Sequence, residues 1–188
     1  MRLIVYGDFN CPYSCLASAR VDRVLADATA EVEWRAVEHD PTIPVPSLTV
    51  EGEVETMFER EVAEVTDQLA PGEELPIRRP LVRSNTRAAI AAFASANATV
   101  AHALRRRLFA AYWYDGRDIA DLSELEALGA AACRGGYERA ARWRAEWLGL
   151  ERTVVPILVL PDGYVSRGLG ALARLGEFAD NGRKEETR

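Results

Sequence analysis

Lysine is almost absent from this chain of 188 residues: Lys184 is the single one, and arginine carries the rest of the positive charge. With alanine abundant as well, that usage is compatible with a GC-rich bacterial genome. Acidic residues outnumber basic ones, 29 to 23, leaving a formal net charge of −6. A nucleic-acid partner needs a basic surface, so this balance argues against one. No apolar run approaches the roughly 20 residues of a membrane-spanning helix, so no membrane partner is expected. The apolar run Leu3-Ile4-Val5-Tyr6 is too short for a secretory signal core and has no cleavage site behind it, which implies a cytoplasmic protein. Cysteine occurs three times, at Cys11, Cys15 and Cys133, a number that cannot all pair within one chain. A stable structural disulfide is not expected in the cytoplasm. The two histidines, His39 and His102, lie far apart with no cysteine or carboxylate at ligand spacing, so no metal is assigned. There is no Gly-rich phosphate loop, no Gly-x-Ser-x-Gly elbow and no His-Glu-x-x-His motif.

What is present is a chain that is 48% hydrophobic, enough for one domain with a sizeable core. Its most informative stretch runs from Asp8 to Ser18. A short apolar strand, Arg2 to Gly7, hands over there to an amphipathic segment read as helix to about Ala28. Cys11 therefore sits at a helix start, where free N–H groups and the positive end of the macrodipole favour thiolate over thiol. A lowered pKa and a nucleophilic sulfur are the expectation. Pro12 fits the first turn, where its missing N–H costs nothing.

Glu31 to Val37 alternates polar and apolar residues, the period of a half-buried strand, and strand–helix–strand implies a parallel pair. Asp40 to Pro46 holds three prolines and reads as loop. From Glu51 to about Leu148 the pattern is helical. Val54, Met57, Phe58, Val62, Val65 and Leu69 share a face; Glu55, Glu59, Glu61 and Glu64 lie mostly away from it and read as solvated. Pro71 to Pro80 is a second loop. Ser84, Asn85 or Thr86 caps a helix through Ile90 and Phe93, and another follows through Leu104, Leu108 and Tyr112. Asp121-Leu122-Ser123-Glu124 resembles a capping box. Gly135-Gly136 reads as a break before a helix from Tyr137 to Leu148, and Cys133 as a small core residue of an alanine-rich helix. Thr153 to Leu160 is β-rich, Pro161-Asp162-Gly163 a turn, and Tyr164-Val165-Ser166 its return strand. Leu172, Leu175 and Phe178 suggest a closing helix before an irregular charged tail, Asn181 to Arg188.

Cys11-Pro12-x-x after the first strand, with Asp8-Phe9 before it, resembles the active-site start of the DsbA family of the thioredoxin-like superfamily. Pro12-Tyr13-Ser14 followed by Leu16-Ala17 is similar to a sister branch, the 2-hydroxychromene-2-carboxylate isomerases and kappa-class glutathione transferases. The resemblance implies an α/β fold: a thioredoxin-like core with a four-stranded mixed sheet, from residues 1–50 and 149–180, and a helical insertion over 51–148, all in one domain. It also implies that Val155-Pro156 is a cis-proline beside Cys11. Catalytic roles then fall to Cys11 and Ser14, substrate contacts to Pro12, Tyr13, Val155 and Pro156, and the part of candidate resolving thiol to Cys15. The implied activity is thiol–disulfide exchange through one cysteine, its mixed disulfide released by an external thiol. No tightly bound cofactor is implied; glutathione or another low-molecular-weight thiol serves as cosubstrate, and a homodimer is compatible. A glutathione-dependent isomerase or transferase is the alternative. Its branch often carries an Asp-Arg pair after the last strand, and Gly168-Leu169-Gly170-Ala171-Leu172 has none. A binding protein that kept the fold and lost the chemistry is the third reading.

Ser14 stands where a dithiol enzyme has its resolving cysteine. Its hydroxyl or N–H can stabilise the Cys11 thiolate or satisfy its own backbone. Cys15 lies one helical turn from Cys11, a spacing of about 6 Å between Cβ atoms against the roughly 3.8 Å of a disulfide, so it reads as core. Glu38-His39-Asp40 reads as a strand-end surface cluster, with an acid–base group near the cleft as the alternative, and Trp34, Trp113, Trp143 and Trp147 as packing residues.

Overall fold

The computed structural model describes residues 1–28 and 30–186, with side chains as far as Asp180. β1 (Arg2–Gly7), α1 (Pro12–Ala26) and β2 (Glu31–Ala36) open the chain. β1 and β2 are parallel, with Leu3 opposite Val32 and Val5 opposite Trp34. At the other end of the chain come β5 (Ile157–Val159), β6 (Val165–Arg167) and α7 (Leu169–Glu186). β5 runs antiparallel to β1, placing Leu158 opposite Val5, and β6 antiparallel to β5. The mixed sheet has the order β2-β1-β5-β6. β1 is thus an inner strand, which is why Leu3 and Val5 are fully buried while its neighbours Val32 and Trp34 retain a little exposure. Leu16, Val21 and Val24 of α1 and Leu172, Leu175 and Ala179 of α7 pack in the same core.

Between the strands lie α2 (Gly52–Asp67), α3 (Arg87–Ser95), α4 (Ala98–Trp113), α5 (Leu122–Ala127) and α6 (Arg134–Leu148). Asn97 caps α4 by accepting from the Val100 N–H, and Asp121 caps α5 by accepting from Ser123. The expected break at Gly135-Gly136 is not there: both lie in the first turn of α6. They mark contact instead of interruption. A Cβ on Gly136 would come within 2.3 Å of the Ala91 carbonyl oxygen and 2.0 Å of Ser95 Oγ, so glycine lets α6 press onto α3. Cys133 is corrected too. Ala130 to Ala132 is not helical, and Cys133 is the exposed N-cap of α6.

Two short strands lie just beyond the two expected loops, in residues assigned no element from sequence: β3 (Leu48–Thr49) and β4 (Val82–Arg83) pair antiparallel, with Leu48 opposite Arg83. The β-rich run before β5 contributes only three strand residues, because Val155–Pro156 precedes them. The backbone of α7 continues into the tail expected to be irregular; Thr187 and Arg188 lie outside the described residues, as do the side chains beyond Asp180.

Candidate functional site

Cys11 is the N-cap of α1, with Pro12 in the first helical position and no side-chain cap bond. Its N–H donates to the Asp8 carbonyl at 3.2 Å, and its carbonyl accepts from the Cys15 N–H at 3.1 Å, so a tight turn delivers the chain from β1 into the helix. β1 has to end on a residue without a side chain. A Cβ on Gly7 would lie 2.4 Å from the Trp34 ring and 3.1 Å from Ser14 Oγ. The Cys11 thiol donates toward the Val155 carbonyl, with Sγ and O 3.8 Å apart. The Val155–Pro156 peptide bond is cis, as is Val45–Pro46.

Cys11 opens into a cleft of about 320 Å³. Pro12, Tyr13 and Val155 line it as well; Ser14 and Pro156, also expected at the site, are buried behind its surface. Ser14 Oγ accepts from the Asp8 N–H at 3.2 Å, holding the turn that carries Cys11. The Tyr13 hydroxyl donates to the Glu64 carboxylate. Cys15 is buried, and its thiol donates to the Tyr114 hydroxyl at 3.8 Å, so the two neighbouring sulfurs have different partners. Cys11 is the one thiol lining this cleft among the described residues.

The surroundings of Cys11 work against the expected acidic thiol. Burial pushes its thiol up to about 12; the Ser14 hydroxyl and amide pull the other way, and the Asp8 and Glu61 carboxylates add to the rise. The helix N-terminus favours a thiolate, and desolvation opposes it. Asp8 itself is buried behind the turn. One carboxylate oxygen accepts from the His39 N–H at 2.7 Å, while Oδ1 and the buried Thr86 hydroxyl make no well-formed hydrogen bond, although the hydroxyl lies close enough to act on the carboxyl. Burial pushes the Asp8 carboxyl up to about 6, and Glu38 reinforces this; the His39 amide, the Thr86 hydroxyl and the Asn10 amide oppose it.

The far walls come from distant segments, of which the sequence connects only the one around His39 with the cleft. His39 and Asp40 follow β2, Met57, Phe58 and Glu61 come from α2, and Arg83 from β4. His39 is exposed, as expected of a strand-end surface residue, and it also lines the cleft; its ring lies 6.1 Å from Trp147, and partial burial lowers its pKa. Asp40 and Arg83 form an ion pair at 2.7 Å. Glu61, expected on a solvated face, is half-buried in the cleft wall. The period of α2 does hold the signal, since Met57, Phe58 and Glu61 stand at i, i+1 and i+4 and share a side. A larger cavity of about 530 Å³ lies beside the edge strand β2, without a cysteine, so size alone does not identify the site.

A sequence model of the DSBA-like thioredoxin domain matches residues 2–140. No curated protein sequence matches the chain. Among solved structures, a probable DsbA oxidoreductase from Streptomyces coelicolor is similar over 98% of this chain and 91% of its own, with a TM-score of 0.70 and 19% identity. A 2-hydroxychromene-2-carboxylate isomerase is similar over 100% of this chain and 98% of its own, with a TM-score of 0.67 and 19% identity. The cytosolic disulfide reductase DsbM from Pseudomonas aeruginosa, solved with GSH, is similar over the full length of both chains, with a TM-score of 0.69 and 16% identity. The fold is thioredoxin-like, and its structural neighbours include both enzyme types that the sequence resembles.

Proposed function

The chain belongs to the DSBA-like thioredoxin domain family, and from that premise we propose that it is a monothiol disulfide reductase working through Cys11. The observation that carries this reading is Cys11 as the only thiol lining the cleft among the described residues, its sulfur against the carbonyl of Val155. A small disulfide enters the cleft. Cys11 loses its proton to solvent and attacks one sulfur; a Cys11–sulfur bond forms, the substrate S–S bond breaks, and the leaving thiolate takes up a proton. An external low-molecular-weight thiol then attacks the mixed disulfide, leaves with the bound half as a new disulfide, and restores the Cys11 thiol. Ser14 has no sulfur with which to do this internally.

The direction of exchange follows from the thiol. A strongly oxidising enzyme of this family type owes its potential to a stabilised thiolate in the reduced form. Burial does the opposite at Cys11, so that source of oxidising power is missing here, which supports the reductive direction. Pro12, Tyr13 and Val155 form the contact surface next to the sulfur, and Ser14 positions the turn. Glutathione is one thiol that suits the releasing step, and the compartment that suits a reductase is the cytoplasm.

One observation favours the isomerase reading as well: an un-ionised Cys11 thiol is a hydrogen-bond donor in the cleft, the role a Ser-Pro-Tyr-Ser site gives to its hydroxyl. Cys11→Ser separates the two. Disulfide reduction, followed as thiol release from a small disulfide, should fall to background, since oxygen cannot form the mixed disulfide. Retained reduction in Cys11→Ser would defeat the proposal. Loss of reduction with retained glutathione-dependent isomerisation would move the assignment to the sister branch.

A further inference from the structure

The charges facing the cleft do not cancel. Asp40 and Arg83 neutralise each other through their ion pair. Burial lowers the His39 pKa, which favours the neutral ring. Glu64, just outside, receives the Tyr13 hydroxyl and pairs with Arg60. Glu61 remains. It is half-buried, shares the cleft wall with Cys11, and has no hydrogen bond or ion-pair partner among the described residues; Arg60 and Arg83 act on it only through space. Ile43, Met57, Phe58 and Val154 give the same cleft apolar surface. A cleft with apolar surface and one carboxylate that lacks a direct partner is a site for a ligand that has a small apolar body and one positive charge.

We propose that Glu61 selects for a small disulfide substrate that carries a primary ammonium near its sulfur, and that it discriminates against disulfides whose carboxylates outweigh their ammonium groups. This rests on Cys11 being the exchanging thiol. Burial raises the Glu61 pKa, the direction expected of a carboxylate short of a counter-charge, and the same carboxylate raises the Cys11 thiol. A bound ammonium answers both effects, because it supplies Glu61 with a partner and relieves its repulsion of the forming thiolate. With cystamine as probe the step is balanced: Cys11–SH and the disulfide give the Cys11–cysteamine mixed disulfide and one free cysteamine.

The test follows mixed-disulfide formation by intact mass in a Cys133→Ser background. That background is needed because Cys133 is exposed and its pKa is lowered by the Ser95 hydroxyl and the Gly136 amide, which makes it a competing thiol. The probes are cystamine, bis(2-hydroxyethyl) disulfide and dithiodiglycolate, each rate divided by that with 2-mercaptoethanol as a reference thiol. The normalised rates should fall in that order, with cystamine ahead of dithiodiglycolate by about tenfold or more. Glu61→Gln should collapse the ratio, and Glu61→Lys should reverse it. Glu59→Gln removes an equal charge from the same helix but outside the cleft wall, and should leave the ratio as it was. Raising the salt concentration should compress the wild-type ratio, a readout that needs no variant to fold. Equal normalised rates, or a preference that survives in Glu61→Gln, would overturn the assignment while leaving the reductase reading intact. No adduct on Cys11 with any of the three probes would overturn the reductase reading itself.

Discussion

A buried carboxyl with one poorly hydrogen-bonded oxygen is a cost that a single substitution can reveal. Asp8 has a folded-state pKa of about 6 against an ordinary value of 3.8, with burial as the main cause. A folded pKa above the unfolded one means that the folded state holds the proton more tightly. Asp8 therefore favours the fold below about pH 4, and that advantage is lost as pH rises to about 6. A displacement of this size corresponds to about 3 kcal/mol once the carboxylate is fully ionised. Asp8→Asn keeps an oxygen for the His39 N–H and places an amide beside the Thr86 hydroxyl. The variant should be more stable than wild type at pH 7.5, by about 1–3 kcal/mol in urea denaturation, and level with it near pH 4. The wild-type protein would lose that much across the interval and the variant would not. Equal pH dependence in both proteins would show that Asp8 is not the titrating group. The Asp8 charge also raises the Cys11 thiol, so alkylation of Cys11 should be faster in the variant at pH 8.

Among the elements, α1 carries the nucleophile and has to be held at both ends. Its N-terminal turn is tied by Asp8, Ser14 and the Cys11 N–H. Further along, Arg20 is 6% exposed and donates to Glu73, to the Gln68 carbonyl after α2 and to the Leu172 carbonyl of α7. Burial of Glu73 works against its charge, but Arg20, the Ala70 amide and Arg23 outweigh it and hold the carboxyl below its ordinary value. A lowered folded pKa contributes stability that is fully present above the unfolded value, about 4.3, and is lost as pH falls through the folded one. Glu73→Gln leaves a buried guanidinium without its counter-charge and should cost about 3–5 kcal/mol at pH 7. The deficit relative to wild type should shrink below pH 4. Thermal melts at pH 7 and pH 3.5 measure it; a deficit of the same size at both would mean that Glu73 acts by packing alone. The pattern of the chain made β1, α1 and β2 legible, because period 2 and period 3.6 are strong over runs of that length. The β3–β4 ribbon was not legible, since two residues carry no period. The same limit hid part of the site: β4 holds Arg83, and the Asn10 side chain donates to the Ser84 carbonyl next to it at 3.1 Å, tying the Cys11 turn to that ribbon. Cys133 was misplaced because an alanine run favours helix by propensity, whereas its tertiary setting ends α5 and opens α6 beyond it.

At the scale of the whole molecule, the cleft is a meeting of segments from α1, the loop after β2, α2, β4 and the loop before β5. Local sequence could name Cys11, Pro12 and Tyr13, which are contiguous. It could not supply Glu61, whose surroundings exist only once α2 lies across the opening. It also could not weigh burial, which exists only in the folded cleft, against the helix N-terminus at Cys11. The same global packing decides how a mixed disulfide is released. Cys15 is the nearest other thiol in the chain, yet it is 1% exposed in the core and its thiol is engaged with Tyr114. A Cys11–Cys15 bond would require opening the first turn of α1 and drawing Cys15 out from among Leu16, Phe9 and their neighbours. That is partial unfolding, not a side-chain rotation, so its rate should follow the stability of the fold. Cys11 loaded with one small thiol in a Cys133→Ser background, then freed of excess reagent, should keep its adduct over hours in buffer. Urea below the unfolding midpoint should speed release, and Cys15→Ala should abolish that acceleration. Rapid loss of the adduct in plain buffer, with a mass two hydrogen atoms lighter than the free dithiol, would instead identify a working Cys-x-x-x-Cys pair and end the monothiol reading.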